Sequence, residues 1–360
     1  MSKNLYLDCN AHVPINSSGI KAFLEFQNSK AAYGNPNSLS SPGREAANAL
    51  EDARSKIAEK LGLKDPRQLV FTSSATQACE WAVKIISKTN NYPNRISPLE
   101  HWAVRDACLT YLNNIGELPV TSGGIIDEQT SHENYNIICM SLQNEIGTPQ
   151  PSANLRHGKG LVFSDMTQSL GKEIVDLKIL DIDLAAFGSH KFGGPSGVGF
   201  LCFKDINLWK EFGTGSRYFL DRPGTPDIAN IVAAEAALEE ALKTYPERYS
   251  KMLEFQKLLE QCFQELNIEI IGKDCNRNAS TIFISVPNQA LELLVNLSQE
   301  GIHIGLGSAC GSFQNNLSYA LQSIGRTGTT NDYLRISNFG YHDRHDAEYF
   351  IEKFKKLLRK

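Results

Sequence analysis

The sequence predicts an α/β fold, with a mainly parallel sheet covered by helices and a second, smaller α+β unit. Three observations predict it. Short apolar runs, each closing on small or polar residues, alternate with helical patterns. The chain has 360 residues, too many for one small module and enough for two domains. The pattern changes near residue 255. The larger unit is therefore placed at 15–255, and the smaller one at 256–360 together with 1–14.

The elements follow in order. In Arg44–Leu61, Ala46, Leu50, Ala53, Ile57 and Leu61 form one apolar stripe, and Gly62 can close the helix. Leu69–Phe71 reads as a strand and Ala78–Ile86 as the helix after it. Ile137–Leu142, Leu161–Phe163, Leu184–Phe187 and Val198–Phe203 read as further strands. Ile228–Tyr245 is a long, Ala-rich helix, and another over about Tyr249–Leu266 leads into the second unit. That unit has a strand (Ser280–Val286), a helix (Leu291–Glu300), a Gly-rich loop (Gly301–Gly311) and a last helix (His345–Leu358). Parallel sheets place ligands at the carboxyl ends of their strands, so the polar residues there carry the functional interest.

Composition excludes several classes. A net charge of -4 speaks against a nucleic-acid-binding surface, and no direct nucleic-acid contact is expected. No apolar run approaches the ~20 residues that cross a bilayer. The N-terminus lacks signal-peptide architecture, which predicts a cytoplasmic protein with no membrane contact. The eight cysteines are scattered and form no CxxC pair, so they predict neither a disulfide framework nor a metal site. Most read as small buried hydrophobes.

Phe187-Gly-Ser-His-Lys-Phe-Gly-Gly-Pro-Ser-Gly-Val-Gly199 is the most informative stretch. Lys191 follows a strand end, and the glycines permit close backbone approach. The spacing fits neither a Walker A loop nor GxGxxG before a helix. A lysine in a turn is by default a surface residue. The other reading is a Schiff-base lysine for pyridoxal phosphate (PLP), which also needs an acid for the ring nitrogen and an anchor for the phosphate. Asp165, after Leu161–Phe163, supplies the acid, and Gln168 is placed to meet the ring hydroxyl. Ser74-Ala75-Thr76 lies between a strand and a helix, where backbone amides and a hydroxyl suit a phosphate. Taken singly, Asp165 and Thr76 could each be a helix cap. The combination at successive strand ends favours the cofactor.

With these residues in place, the chain resembles the NifS/IscS-type cysteine desulfurases, fold-type I PLP enzymes of the class V aminotransferase family. Matching segments run over nearly the whole length: Tyr6-Leu-Asp, Tyr33-Gly-Asn-Pro, Val70-Phe-Thr-Ser-Ser-Ala-Thr76, Glu100-His-Trp-Ala-Val104, Asn144-Glu-Ile-Gly147, Asp165-Met-Thr-Gln168, Ser189-His-Lys191, Arg222-Pro-Gly-Thr225, Gly307-Ser-Ala-Cys310 and Leu334-Arg-Ile-Ser337. The resemblance implies a seven-stranded sheet in the larger domain. It implies that Lys191 bonds the cofactor, that Asp165 pairs with the ring nitrogen and Gln168 with the ring oxygen, and that His101 stacks on the ring and shuttles protons. Ala75, Thr76, Ser189 and His190 would hold the phosphate, joined by Thr225 from a second subunit, hence a homodimer. Asn144 and Arg335 would hold the carboxylate of L-cysteine, with Asn35 lining the site. Taken singly, His101 could be a packed histidine and Arg335 a surface ion-pair partner.

Cys310 differs from the other cysteines. Its glycine and serine neighbours predict an exposed loop, which gives a thiol the access a nucleophile needs. The resemblance is to the group I desulfurases, in which this thiol takes sulfur from cysteine as a persulfide, leaves alanine and passes the sulfur to an acceptor protein. The chain departs from the family pattern at Ala11-His-Val-Pro14, at Ser40, at Gln77 and over 213–221. A short C-terminal end and a divergent surface suggest a dedicated acceptor, in DNA phosphorothioation or tRNA thiolation rather than general iron–sulfur assembly. The competing readings are an aminotransferase or β-lyase in which Cys310 is incidental, and an interaction protein on a decayed PLP scaffold.

Overall fold

The structure, a computed structural model, describes residues 4–127, 134–156, 158–212, 224–307 and 316–358. The chain opens with strand β1 (Leu5–Leu7) and helices α1 (Ser17–Gln27) and α2 (Ser41–Lys60). β2 (Leu69–Thr72), α3 (Ala75–Thr89), β3 (Asn94–Ile96), α4 (Trp102–Tyr111), β4 (Ile115–Glu117), β5 (Asn136–Met140), β6 (Val162–Asp165), β7 (Leu184–Gly188) and β8 (Gly199–Phe203) follow. After α5 (Asn207–Phe212) come α6 (Ile228–Lys243) and α7 (Tyr245–Glu265). The rest is β9 (Glu269–Ile270), β10 (Thr281–Ser285), α8 (Ala290–Gln299), β11 (Ile302–Leu306), α9 (Tyr319–Ser323), β12 (Tyr333–Ser337) and α10 (Arg344–Leu358).

Seven strands form one sheet in the order β2-β8-β7-β6-β5-β3-β4. β4, β3, β5, β6 and β7 pair in parallel, while β8 is antiparallel to both β7 and β2. Every residue of β2, β5, β6, β7 and β8 is buried, as expected of strands covered on both faces. On one face Val70, Phe163, Leu184, Leu201 and Phe203 pack against α3 and α4. On the other, Phe71, Phe187 and Phe200 pack with α2 and α6. The Arg44–Leu61 stripe points inward as its spacing predicts, with Ala46, Leu50, Ala53, Ile57 and Leu61 almost wholly covered.

The second sheet has the order β1-β11-β12-β10-β9 and a core formed with α7, α8 and α10. The first half of the stretch expected as a Gly-rich loop, Gly301–Gly311, is in fact strand β11. Ile302 and Ile304 alternate toward the core, and the strand lies between β1 and β12. Gly305 disguised this strand, and packing accounts for the glycine: a Cβ there would lie 2.8 Å from Asp8 Oδ1 and 3.1 Å from Arg335 Nη2. Arg335, which taken singly could be a surface ion-pair partner, is the middle residue of β12 and is wholly buried. The pattern change near residue 255 falls within the continuous helix α7.

At one edge of the large sheet the chain crowds itself. A Cβ added at Gly199 would lie 2.4 Å from Ser74 C, 2.6 Å from Ser74 O and 2.7 Å from Ala75 N. We expect Gly199→Ala to destabilise the fold by about 1–3 kcal/mol through overpacking. Urea denaturation checks this, and an unchanged midpoint would contradict it.

Candidate active site

Because β5, β6 and β7 are parallel, their carboxyl ends meet at one edge, with Met140 opposite Asp165 and Asp165 opposite Ala186. The antiparallel β8 starts at that edge, with Gly188 opposite Gly199, and β2 ends there, with Thr72 opposite Gly199. The turns carrying Ala75 and Thr76, His101, Asn144, Asp165, Gln168 and Ser189–Lys191 therefore all open on the same side.

Lys191 closes a single 3₁₀ turn after β7. Its Nζ donates to Asn10 O at 2.6 Å and to Ala11 O at 2.8 Å, both in the segment that leaves β1. Asn10 is buried and heavily used. Its Nδ2 donates to Asn144 O (2.7 Å) and Thr281 Oγ1 (2.8 Å), and its backbone carbonyl also accepts from Gln168 Nε2 at 2.9 Å. Its Oδ1 accepts at 2.7 Å from Lys172 Nζ, which also donates to Gln168 Oε1. Lys172 is wholly buried. Burial, then the nearby charge of Lys191, holds its amine down to about 7. Neither Asn10 nor Lys172 was singled out from sequence. The available signal was a lysine four residues after Gln168, one turn further along the same segment.

Asp165 is buried and accepts from Thr167 N at 3.0 Å. Behind it lies Glu100, which accepts from Met140 N. Burial, reinforced by Asp165, raises the Glu100 carboxyl well above its ordinary range. His101 caps α4, its Nδ1 accepting from Ala103 N at 3.2 Å, which leaves the proton of the neutral ring on Nε2. The His190 ring stacks on His12, with centroids 5.7 Å apart, and burial followed by Lys191 lowers its pKa to about 4. The Ser189 hydroxyl lies against Pro195 O and Val198 O.

Arg335 reaches the same region from the second sheet. Its Nη2 donates to Asp8 Oδ1 at 2.8 Å, and its buried Nε and Nη1 have no hydrogen-bond partner among the described residues. A buried guanidinium with spare donors is poised for a carboxylate. The backbone carbonyl of Asn144 joins the cluster through Asn10, and its Oδ1 accepts from Gln143 Nε2 at 3.3 Å. Two expected residues stand apart. Asn35 is exposed and its Oδ1 accepts from Asn37 N at 2.9 Å, with no bond to the cluster. Thr225 is exposed, and no hydrogen bond joins it to Thr76, Ser189 or His190 among the described residues. Cys310, Arg222 and the divergent 213–221 stretch lie outside the described residues. Of the other departures, Gln77 accepts from Ser73 N (2.9 Å) and Ser73 Oγ (3.2 Å), fastening the start of α3, and Ser40 caps α2.

This arrangement defines a cofactor-dependent α/β enzyme whose site lies between two sheets. The family model "Aminotransferase class-V" matches residues 5–350, and the chain belongs to that family. It is 32% identical over 347 residues to the cysteine desulfurase IscS of Rickettsia rickettsii, covering 89% of this chain and 82% of the relative. It is 28% identical over 383 residues to the IscS of Dictyoglomus turgidum, covering 100% and 96%. Among solved structures, a NifS-like protein superposes with a TM-score of 0.87 at 28% identity, covering 99% of this chain and all of that one. The family's cofactor is pyridoxal phosphate. The residues fit it: the buried acid Asp165, Lys191 and the amino end of α3 lie at one edge, and the buried Thr167 hydroxyl there has no hydrogen-bond partner among the described residues.

Glu173, next to Lys172, is largely buried, and desolvation raises its carboxyl from 4.5 to about 7 against the pull of Lys172. The sign follows from linkage. The folded state holds the proton more tightly, so this contribution is full below about pH 4.5 and is lost as the pH rises through about 7. Replacing Glu173 by Gln removes the dependence. Between pH 5 and pH 7 the wild type should lose stability relative to Glu173→Gln by at most about 1.4 kcal/mol per pH unit. Paired urea melts across that range check it, and parallel curves would refute the assignment.

Proposed function

We propose that this chain is an L-cysteine desulfurase that removes sulfur from L-cysteine, leaves L-alanine and holds the sulfur as a persulfide on Cys310. One observation carries the reading: the amine of Lys191 and the spare donors of the buried Arg335 belong to opposite sheets and are linked through the segment Asp8–Ala11. A substrate carboxylate and a reacting amino-acid centre can be held there together.

When bound, PLP supplies an electron sink for the substrate carbon. Lys191 would bear it covalently, Asp165 would face the ring nitrogen, Gln168 the ring oxygen, and Ala75, Thr76, Ser189 and His190 the phosphate. To do so, the Ser189 hydroxyl turns away from the carbonyls it now meets. Arg335 and Asn144 orient the carboxylate of cysteine. The Lys191 amine would take the proton from the substrate Cα and serve as the acid that gives it back. His101, with its proton on Nε2, carries protons to and from the substrate. The Cys310 thiolate then forms an S–S bond with the substrate sulfur as the Cβ–S bond breaks. The electron pair of that bond stays on carbon, which is protonated to give alanine.

Thr225 is exposed and hydrogen-bonds none of Thr76, Ser189 and His190 among the described residues, which agrees with a homodimer in which it serves the partner's phosphate site. The seven described cysteines are free thiols, which supports a reducing compartment such as the cytoplasm. No helix among the described residues is long and apolar enough to cross a membrane. We propose that the acceptor is a protein dedicated to DNA phosphorothioation or tRNA thiolation, a reading that rests on the divergence of the 213–221 sequence.

Cys310→Ala should keep the visible absorbance of the bound cofactor and form neither persulfide nor alanine from cysteine. Normal alanine release would refute the nucleophile. Lys191→Ala should lose the lysine-linked band. Arg335→Lys should raise KM for cysteine about 10–100-fold, with a smaller effect on kcat, because the fork that meets two oxygens is lost. Steady-state alanine assays measure this.

A further inference from the structure

The mechanism above leaves one buried ionisable group unused. Lys172 is wholly covered and makes no ion pair among the described residues. The charged and titratable groups that act on it are Lys191, Arg335, Cys9 and Glu173, and burial outweighs them all. A lysine kept in such a place without a carboxylate is costly, and its bonds indicate what it does. Both bonds go to side-chain amide oxygens, Asn10 Oδ1 and Gln168 Oε1.

An amide is a two-ended group: one end accepts, the other donates. An ammonium offers donors only, so it holds whichever end faces it as the oxygen. With Oε1 of Gln168 turned to Lys172, its Nε2 must point the other way, and there it donates to Asn10 O, the carbonyl that also receives Lys191. That NH₂ has a second hydrogen to offer. Asn10 is held in the same manner: with Oδ1 on Lys172, its Nδ2 faces Asn144 O and Thr281 Oγ1, tying the turn after β5 to β10 of the other sheet.

We propose that Lys172 is a positioning residue that fixes the orientation of two active-site amides, Asn10 and Gln168, and through Gln168 sets the donor presented to the cofactor's ring oxygen. The proposal rests on the reading that Lys191 bears the cofactor and Gln168 meets its ring. Without Lys172 the Gln168 amide is free to turn over and present an acceptor, which repels a ring oxygen rather than holding it.

A double-mutant cycle tests it, with Lys172→Met, Gln168→Met and the pair. Two readouts need no turnover: the dissociation constant of PLP from apo-protein, and the pH midpoint of the visible band of the reconstituted protein. We expect Lys172→Met alone to weaken PLP binding about tenfold, the scale of one charge-assisted hydrogen bond, and to move the midpoint. Added to Gln168→Met, it should change either readout by less than twofold. Equal effects in both backgrounds, or a lower melting temperature with unaltered affinity and midpoint, would overturn the proposal. If Lys172→Met does not fold, Lys172→Gln, which keeps an NH₂ donor, takes its place. It should then retain near wild-type affinity and midpoint, and a full loss would overturn the proposal. Lys191→Ala is run beside the cycle: persistence of the lysine-linked band there would sink the cofactor reading itself, independently of Lys172.

Discussion

The bond from Lys191 to the carbonyls of Asn10 and Ala11 is the constraint around which the site is organised. Lys191 lies at the edge of the seven-stranded sheet, and Asn10 and Ala11 follow the first strand of the five-stranded one. Backbone carbonyls are obligatory acceptors. Those at 10 and 11 meet the lysine amine, and Gln168 shares the first of them. The segment that joins the sheets is thus shaped by the groups it presents to chemistry. Val13 N extends the seam by donating to His190 O at 2.9 Å.

Charge is segregated within the site. Lys172, Lys191 and Arg335 cluster around Asp8 and Asn10, while Asp165 and Glu100 lie beside β5 and β6. Burial pushes the Glu100 carboxyl toward its protonated form beside Asp165, and it lowers His190 to about 4, which favours the uncharged ring. A phosphate and an α-carboxylate both carry negative charge and suit the upper, cationic side. A protonated ring nitrogen suits the lower one.

The large sheet was legible because its strands are covered on both faces and read as unbroken apolar runs. Asp165 and Lys191 were legible because polar residues stand out at the ends of such runs. β1, β3, β4 and β9 have two or three residues each and leave no periodic trace. β11 was hidden by Gly305, whose meaning depends on an arginine thirty residues later. Asn10 and Lys172 were missed for a related reason. An asparagine near the N-terminus and a lysine after a glycine carry no local pattern, and their roles arise only when distant segments meet. Arg335 was found through the family resemblance, since its burial opposite Asp8 depends on strand order, which one sequence does not encode locally.

The remaining cysteines acquire a meaning of their own in a protein that handles reactive sulfur. Cys9, Cys79, Cys108, Cys139, Cys202 and Cys262 are buried, and desolvation pushes each thiol up, Cys9 and Cys108 to about 12. A thiol that does not ionise is a poor nucleophile. These six side chains fill the interior as inert packing and do not compete as scavengers for a sulfane sulfur atom, and Cys275 is the one free thiol among the described residues that is not fully buried.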